Sequence, residues 1–554
     1  MTLAIVQNLW YNINNRKGGV CHMGKYVNPG NEAFQRVVRT GKYVDKTGMI
    51  EFTNNIIYDF RPLICFSRPR RFGKSIAAHM LTAYYSKGCD SREIFSALKI
   101  AELPTFEDEL NKNTVIYLDM QEFRSYASRH NSMQQIVQHI QDVVVQELKL
   151  EYPNIVKDDE NDIPHALAEI NSKTGEQFIV IIDEWDCLFR EDKENEAIQT
   201  EYVNFLRGMF KGGSADAFIK LAYITGILPI KKYGTQSALN NFREYTMVSP
   251  GKLAGYVGFT EAEVQALCER YEMDFEECKR WYDGYSFNQM KSVYSPNSVM
   301  NAIDNGEFSS YWTKTETYES LRFYIDTNFD EVRTAILAML SGEMVEIDSE
   351  TFQNDMVSIH NRDDVLTLLV HLGYLAYNGN EKSVYIPNEE VRAEFIRATK
   401  NSSREELSKV IKNSDALLKA TLRMDGEEVA QRIEMAHQYY ANAKFYNNEQ
   451  ALRMVIMLAY VSRVDDYCDF QELPGGKGYA DILFFPKKKS RKPALLIELK
   501  WNHSSGGAIE QIKEKGYCDA ISGYGGDILL VGINYDEKEK KHTCQIERFE
   551  YDHS

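Results

Sequence analysis

At 554 residues the chain is too long for one core, and about two to four domains are expected. An apolar share of 44% and a charged share of 26% are those of an ordinary folded protein and exclude a disordered or fibrous chain. A formal charge of -17 excludes a general nucleic-acid coat protein but leaves room for a local basic groove.

No stretch approaches the roughly 20 apolar residues of a membrane helix. The longest apolar run near the start, "LAIV", is far short of a signal-peptide core. The nine cysteines are scattered, odd in number and without a C-x-x-C pair, and the 11 histidines show no ligand spacing. This argues for free thiols in a reducing compartment and against a zinc site. The expectation is a cytoplasmic protein with no membrane contact. Basic clusters stand at "RPRR" (68–71) and "KKKSRK" (487–492).

Residues 1–22 show no periodicity and precede a second methionine, Met23, which fits either an extension or an artefact of start-site choice. From about residue 43 strands alternate with helices: "PLICFS", "SIAAHMLTAYYS", "NTVIYLDM", "SMQQIVQHIQDVVVQELKL", "QFIVIIDEWD", "EAIQTEYVNFLRGMF" and "IKLAYITGI". Continuous apolar strands between helices predict a parallel sheet covered on both faces. This α/β unit is expected over 23–255.

After it the pattern becomes mostly helical, over 256–435. Thr260 with Glu263 three residues on is a capping box. A helix from "DDVLTLLVHL", a turn at Gly373 and a hairpin with Asn-Gly at its tip fit either a winged-helix unit or a plain helical lid. From 436 onward a long helix precedes strands at "YADILFFP", "PALLIELKW" and "DILLVGINY", with a helix at "AIEQIKEKGY". That is a second α/β unit.

"RPRRFGKS" lies between the first strand and the following helix, where unpaired N–H groups and the helix dipole favour an anion. Gly73, Lys74 and Ser75 would serve the backbone approach, the β- and γ-phosphates and Mg²⁺ of bound ATP. The first glycine of the usual pattern is replaced by Arg68, which a negative φ tolerates and which is counted among the residues facing the nucleotide. Pro69 would stiffen the loop, and Arg70 and Arg71, followed by Phe72, would add charge near the phosphates. The strand "FIVIID" runs into Asp183 and Glu184, candidates for holding Mg²⁺ and polarising the attacking water. Thr225, ending the next strand, is a candidate γ-phosphate sensor or a structural hydroxyl.

In "IELK", Glu498 and Lys500 are two apart and project to one face of a strand. A hairpin would bring Asp481 beside Glu498, and two such carboxylates can hold Mg²⁺, with Mn²⁺ an alternative. Lys500 would orient water and stabilise developing charge, which is the chemistry of phosphodiester cleavage. Glu449 could add a carboxylate, while Gln511, Lys515 and Tyr517 would touch the substrate backbone.

The ordered motifs "YVDKT", "RPRRFGKS", "IIDEWD", "GFTEAEV", "WYDGYSF", "VYSPNSV", "YNNEQAL" and "GYADI…IELKWN" resemble the bacterial AAA-ATPase-like proteins that carry a PD-(D/E)XK nuclease-superfamily domain at the C-terminus. The resemblance runs from about Met23 to the end. It implies that "RPRRFGKS" is the family's own phosphate loop, with Asp183 and Glu184 its acidic partners. It also implies a nuclease core of Asp481, Glu498 and Lys500 flanked by Glu449 and Gln511. "GILPIKKY" departs from commoner members, which carry an arginine shortly after Thr-Gly; Lys231 or Lys232 stands as its substitute.

The expected function is an ATP-binding, ATP-regulated and Mg²⁺-dependent nuclease acting on DNA, with a homo-oligomer left open. The rival is a nucleotide-gated module that binds nucleic acid or protein without cleaving. A third reading, ATP-driven remodelling of a protein partner, requires a hexamer.

Overall fold

The computed structural model describes residues 23–230, 239–287, 290–312, 321, 330–353, 359–400, 405–440, 449–475, 478–487, 490–521, 524 and 526–549. The expectations placed on 1–22, on Lys231 and Lys232, and on 488–489 of the second basic cluster lie outside them.

β1 (Leu63–Ser67), β2 (Thr114–Asp119), β3 (Phe178–Asp183), β4 (Ile219–Gly226) and β5 (Arg243–Tyr245) form one sheet in the order β2-β3-β4-β1-β5. Every neighbouring pair is parallel. Parallel pairing needs crossovers, and helices cover both faces, so β1 and β3 are buried at every position. Ile64, Phe66, Ile179 and Ile181 enter one apolar cluster, and Cys65, Val180 and Ile182 the other. This is the period of two expected of a strand with a core on each side. The expected parallel sheet is present, with the short β5 added to it.

The middle of the chain is mostly helical with two small antiparallel sheets. β6 (Phe259–Thr260), β7 (Tyr285–Phe287) and β8 (Met290–Tyr294) form one in the order β6-β8-β7. β9 (Val345–Glu346), β10 (Ala376–Asn378) and β11 (Ser383–Tyr385) form the other in the order β10-β11-β9. The capping box is present: the Thr260 hydroxyl accepts the Glu263 N–H, and the Glu263 carboxylate accepts the Thr260 N–H. The helix Arg362–Leu372 stops at Gly373, which takes φ +86, and the β10–β11 hairpin follows as a wing. At the hairpin tip the Asn378 side chain accepts the Asn380 N–H at 3.1 Å.

The "WYDGYSF" block ties this region together. Asn388 Nδ2 donates to the Asp283 carbonyl at 2.7 Å, and the Tyr385 hydroxyl donates to the Gly284 carbonyl at 2.9 Å. Tyr285 donates its hydroxyl to the Gly373 carbonyl at 2.6 Å. The base of the wing therefore packs on the block.

β12 (Tyr467–Gly475), β13 (Gly478–Pro486), β14 (Ala494–Trp501), β15 (Ile528–Asp536) and β16 (Lys541–Phe549) form the last sheet, in that order. Only β14 and β15 run parallel among its pairs. Side chains of the helices Gly426–Tyr440 and Glu449–Ala459 share a cluster with Ile482, Ile497 and Val531. The helix Ser505–Lys515 packs with Leu483, Leu496 and Leu530, which alternate onto the other face.

Gly284 holds φ +107, and a Cβ there would fall 2.0 Å from the Pro387 carbonyl oxygen. Gly284→Ala is expected to cost at least about 1–3 kcal/mol from backbone strain, before the clash is added. Urea unfolding measures this, and an unchanged midpoint would contradict the close approach.

Candidate nucleotide and nuclease sites

The phosphate loop joins β1 to the helix Lys74–Tyr85, whose N-cap is Gly73 in the left-handed region at φ +93. Arg71 also takes a positive φ, +70, so the loop turns sharply at a residue with a Cβ. A cavity of about 850 Å³ opens against it, lined by Arg70 through Ala77 together with Asp183, Glu184 and Arg190. Tyr43, Val44, Phe259 and Met300 add apolar wall from the N-terminal segment and the middle region.

Asp183 is almost fully buried. Burial pushes its carboxyl up to about 7, although the Ser75 hydroxyl bonded to it and the nearby Lys74 ammonium pull the other way. Glu184 has φ +53 and donates its N–H to Asp183 Oδ1 at 3.0 Å. Burial alone would raise the Glu184 carboxyl, but Lys74, Arg190 and Arg70 outweigh it and hold the group below its ordinary value. Lys74 Nζ lies 3.7 Å from Glu184 Oε1 and donates to the Pro69 carbonyl at 3.1 Å. Arg190 pairs with Glu184 and with Asp186, the latter at 3.0 Å. Arg190 was not anticipated. Its signal in the sequence was the i, i+4 spacing from Asp186 along "DCLFR".

Each unusual residue of the loop has a partner in the rest of the chain. Arg68 is fully buried, with its guanidinium 4.5 Å from the Phe66 ring centroid and 5.0 Å from that of Phe287. Its Nη1 donates to the Ser67 carbonyl at 2.9 Å, and burial lowers its pKa to about 9. Pro69 packs on Gly373, where a Cβ would come within 2.7 Å of the proline ring. Arg71 donates to the Tyr311 carbonyl at 2.9 Å. Phe72 meets Tyr285 edge to face at 5.3 Å, and its carbonyl accepts the Gly258 N–H.

The placement of Arg68 corrects the expectation that it faces the nucleotide. It does not line the cavity, because aromatic rings enclose it from behind the loop. Thr225, beside Asp183 in the register of β3 and β4, is likewise buried and away from the cavity lining. Arg70, Arg71, Phe72, Gly73, Lys74, Ser75, Asp183 and Glu184 do come together there.

In the last sheet, β13 and β14 pair antiparallel with Ile482 opposite Ile497, which sets Asp481 next to Glu498. Asp481 Oδ2 accepts the Leu499 N–H at 2.8 Å, and its Oδ1 takes Arg453 Nη2 at 3.0 Å. Glu498 Oε1 accepts from Lys500 Nζ at 3.3 Å and from the Gln511 amide. Its Oε2 is buried without a hydrogen-bond partner. Burial, then the charge of Asp481, pushes the Glu498 carboxyl up to about 7. A buried carboxylate oxygen left bare beside a second carboxylate is costly without a cation, so these residues fit a divalent metal.

Glu449 is exposed at the start of its helix, one turn before Arg453. Lys515 is half-buried one turn after Gln511. Tyr517 corrects the substrate-contact expectation: the helix ends at Gly516 in the left-handed region, and the tyrosine turns into the core, 2% exposed, beside Leu483 and Ile512. Arg453 was missed because its partner Asp481 lies on a strand 28 residues away.

A parallel sheet with a phosphate loop, followed by a mixed sheet carrying paired carboxylates and a lysine, defines the class. Residues 29–235 match the family described as predicted AAA-ATPase, and residues 447–545 match the PD-(D/E)XK nuclease superfamily. The chain therefore carries an AAA-ATPase-like region over 29–235, followed by a PD-(D/E)XK nuclease-superfamily region over 447–545. It is 23% identical over 528 residues to an uncharacterized protein in the vnfD 5' region of Azotobacter chroococcum mcd 1, covering 90% of this chain and 93% of that one. Among solved structures, the Aeropyrum pernix ORC2 protein (ADPNP-ADP complexes) is 10% identical, covering 68% of this chain and 97% of that one at a TM-score of 0.29. At that score the likeness has no bearing on the site.

With Arg68 walled off from the cavity, Arg68→Met is expected to leave ATP affinity unchanged. Arg68→Ala should cost about 2–5 kcal/mol of stability by opening a void between Phe66 and Phe287. Nucleotide titration and urea unfolding check both. A drop of about tenfold or more in ATP affinity for a stably folded Arg68→Met would overturn the placement.

Proposed function

We propose that the protein is an ATP-binding and ATP-hydrolysing nuclease whose last α/β unit cleaves DNA with Mg²⁺, in a domain division of 23–255, 256–435 and 436–554. The observation that carries this reading is the convergence of Asp481, Glu498, Lys500 and Gln511, with one Glu498 oxygen buried and unpartnered.

Asp481 and Glu498 would hold the metal, which lowers the pKa of a water and neutralises phosphate charge. Gln511 fixes the Glu498 carboxylate, and Arg453 with the Leu499 N–H fixes Asp481. Lys500 orients the attacking water and meets charge as it develops on the phosphate. In the nucleotide cavity, Lys74 and the loop N–H groups bind the β- and γ-phosphates. Ser75 and Asp183 would hold Mg²⁺ there, and Glu184 positions water for hydrolysis. Arg190, which lines the cavity, would supply a cation beside the γ-phosphate.

Coupling between the sites is supported by one further contact. Lys487, directly after the strand carrying Asp481, sits 4.4 Å over the Trp281 ring. Four residues on in the same block, Tyr285 packs on Phe72 of the phosphate loop.

Cleavage of plasmid and single-stranded DNA, with Mg²⁺ or Mn²⁺ and with or without ATP, tests the reading. Wild type should cut, Asp481→Asn and Lys500→Ala should not, and Lys74→Ala should lose ATP binding. Equal, background-level cutting by wild type and variants would favour a nucleotide-gated binding module instead. Lys487→Met should leave ATP affinity within about twofold while bringing the ratio of cutting rates with and without ATP towards one. An unchanged ratio would remove Trp281 and Lys487 from the coupling.

A further inference from the structure

Two strands away from Glu498, at the β16 edge of the sheet, a second group of metal-type donors comes together. Glu434 and His437 are three apart on the helix Gly426–Tyr440 and so share one of its faces. His542 is the second residue of β16. The helix is pressed onto that strand: at Gly426 a Cβ would fall 2.4 Å from the Cys544 carbonyl oxygen. One ligand atom from each of Glu434, His437 and His542 lies within 4.8 Å of the others. Glu434 Oε2 is 2.7 Å from His542 Nδ1, and Glu434 Oε1 is 3.7 Å from His437 Nδ1.

The rings are held in place by packing. Tyr535 of β15 lies 4.8 Å from the His542 ring and 5.6 Å from the His437 ring, perpendicular to the latter. Trp501, the residue after Lys500, backs Tyr535 at 4.8 Å. The His542 side chain is fully enclosed, while Glu434 remains about one-third exposed, so an ion can reach the group from the Glu434 side. Burial lowers the pKa of both histidines, that of His542 to about 4, despite the adjacent carboxylate.

The geometry points to a second metal centre, in which Glu434, His437 and His542 bind one divalent transition-metal ion and clamp the helix Gly426–Tyr440 to β16. Two imidazoles and a carboxylate are a zinc donor set, and three protein ligands leave a fourth position for water. The pair at Asp481 and Glu498 is all-oxygen and suits Mg²⁺ or Mn²⁺, so the two centres differ in chemistry. This inference stands independently of nuclease activity.

The test uses the full, tag-free chain, stripped with EDTA and titrated with Co²⁺ alone while visible d–d absorption is read. Zinc content after zinc dialysis is measured in parallel by mass spectrometry. The strong tetrahedral-type absorption of roughly one equivalent should appear in wild type and be retained by an Asp481→Asn, Glu498→Gln double variant, which removes any further ion held at the all-oxygen pair. Changes outside the first ligand shell already weaken metal affinity by about 10–100-fold, so His437→Gln should lose at least about tenfold. Glu434→Gln, at a partly exposed helical position, should lose affinity too, with its circular dichroism unchanged. Absence of binding, equal binding by wild type and both single variants, or loss of the ion in the double variant would each overturn the centre.

Discussion

The phosphate loop of this protein is shaped from outside. In "RPRRF" the residues between β1 and Gly73 carry side chains, and the middle of the chain receives them: Phe287 stacks on Arg68, Gly373 takes Pro69, the Tyr311 carbonyl takes Arg71, and Tyr285 takes Phe72. A glycine-rich loop owes its shape to backbone freedom and pays for it in entropy. Here packing against a second layer does that work, and it admits a non-glycine residue at positive φ in Arg71. The consequence is that the loop's conformation is tied to contacts with the middle region.

Both candidate sites solve the same electrostatic problem. Asp183 and Glu498 are buried carboxylates, each raised to about 7 chiefly by desolvation. Each is surrounded by a cation and a fixed donor: Lys74 and Ser75 for the first, Lys500 and Gln511 for the second. Such groups are expensive to the fold and are retained where a cation or a phosphate is to be handled. The neighbouring carboxylates differ. Glu184 is held in its charged form by Lys74, Arg190 and Arg70, while Asp481 is fixed by Arg453 and a backbone N–H.

The block "WYDGYSF" lies between them. Its glycine brings the chain against Pro387, its second tyrosine reaches both Gly373 and Phe72, and its tryptophan receives Lys487. Aromatic residues in such a block read from sequence as core packing. Their placement makes them the seam where the phosphate loop, the wing and the nuclease hairpin meet.

Much was legible in the sequence because the signals are local. The parallel sheet followed from unbroken apolar runs between helices, the capping box from Thr260 and Glu263, and the convergence of Asp481 with Glu498 from two strands joined by a short connection. Gly73, Lys74 and Ser75 stood out by their place between a strand and a helix, and they line the cavity. The sequence could not show which way a side chain faces once a second layer packs on it. That decided Arg68, which turned from the nucleotide into an aromatic slot, and Tyr517, which turned into the core after Gly516. Nor could it pair residues far apart in the chain. Arg190 was within reach of a spacing argument, but Arg453 needed a helix laid across β13, and His542 meets Glu434 across 108 residues because β16 closes the sheet edge beneath the helix Gly426–Tyr440. Local chemistry was written in the order of the residues; burial and long-range pairing were set by how the layers stack.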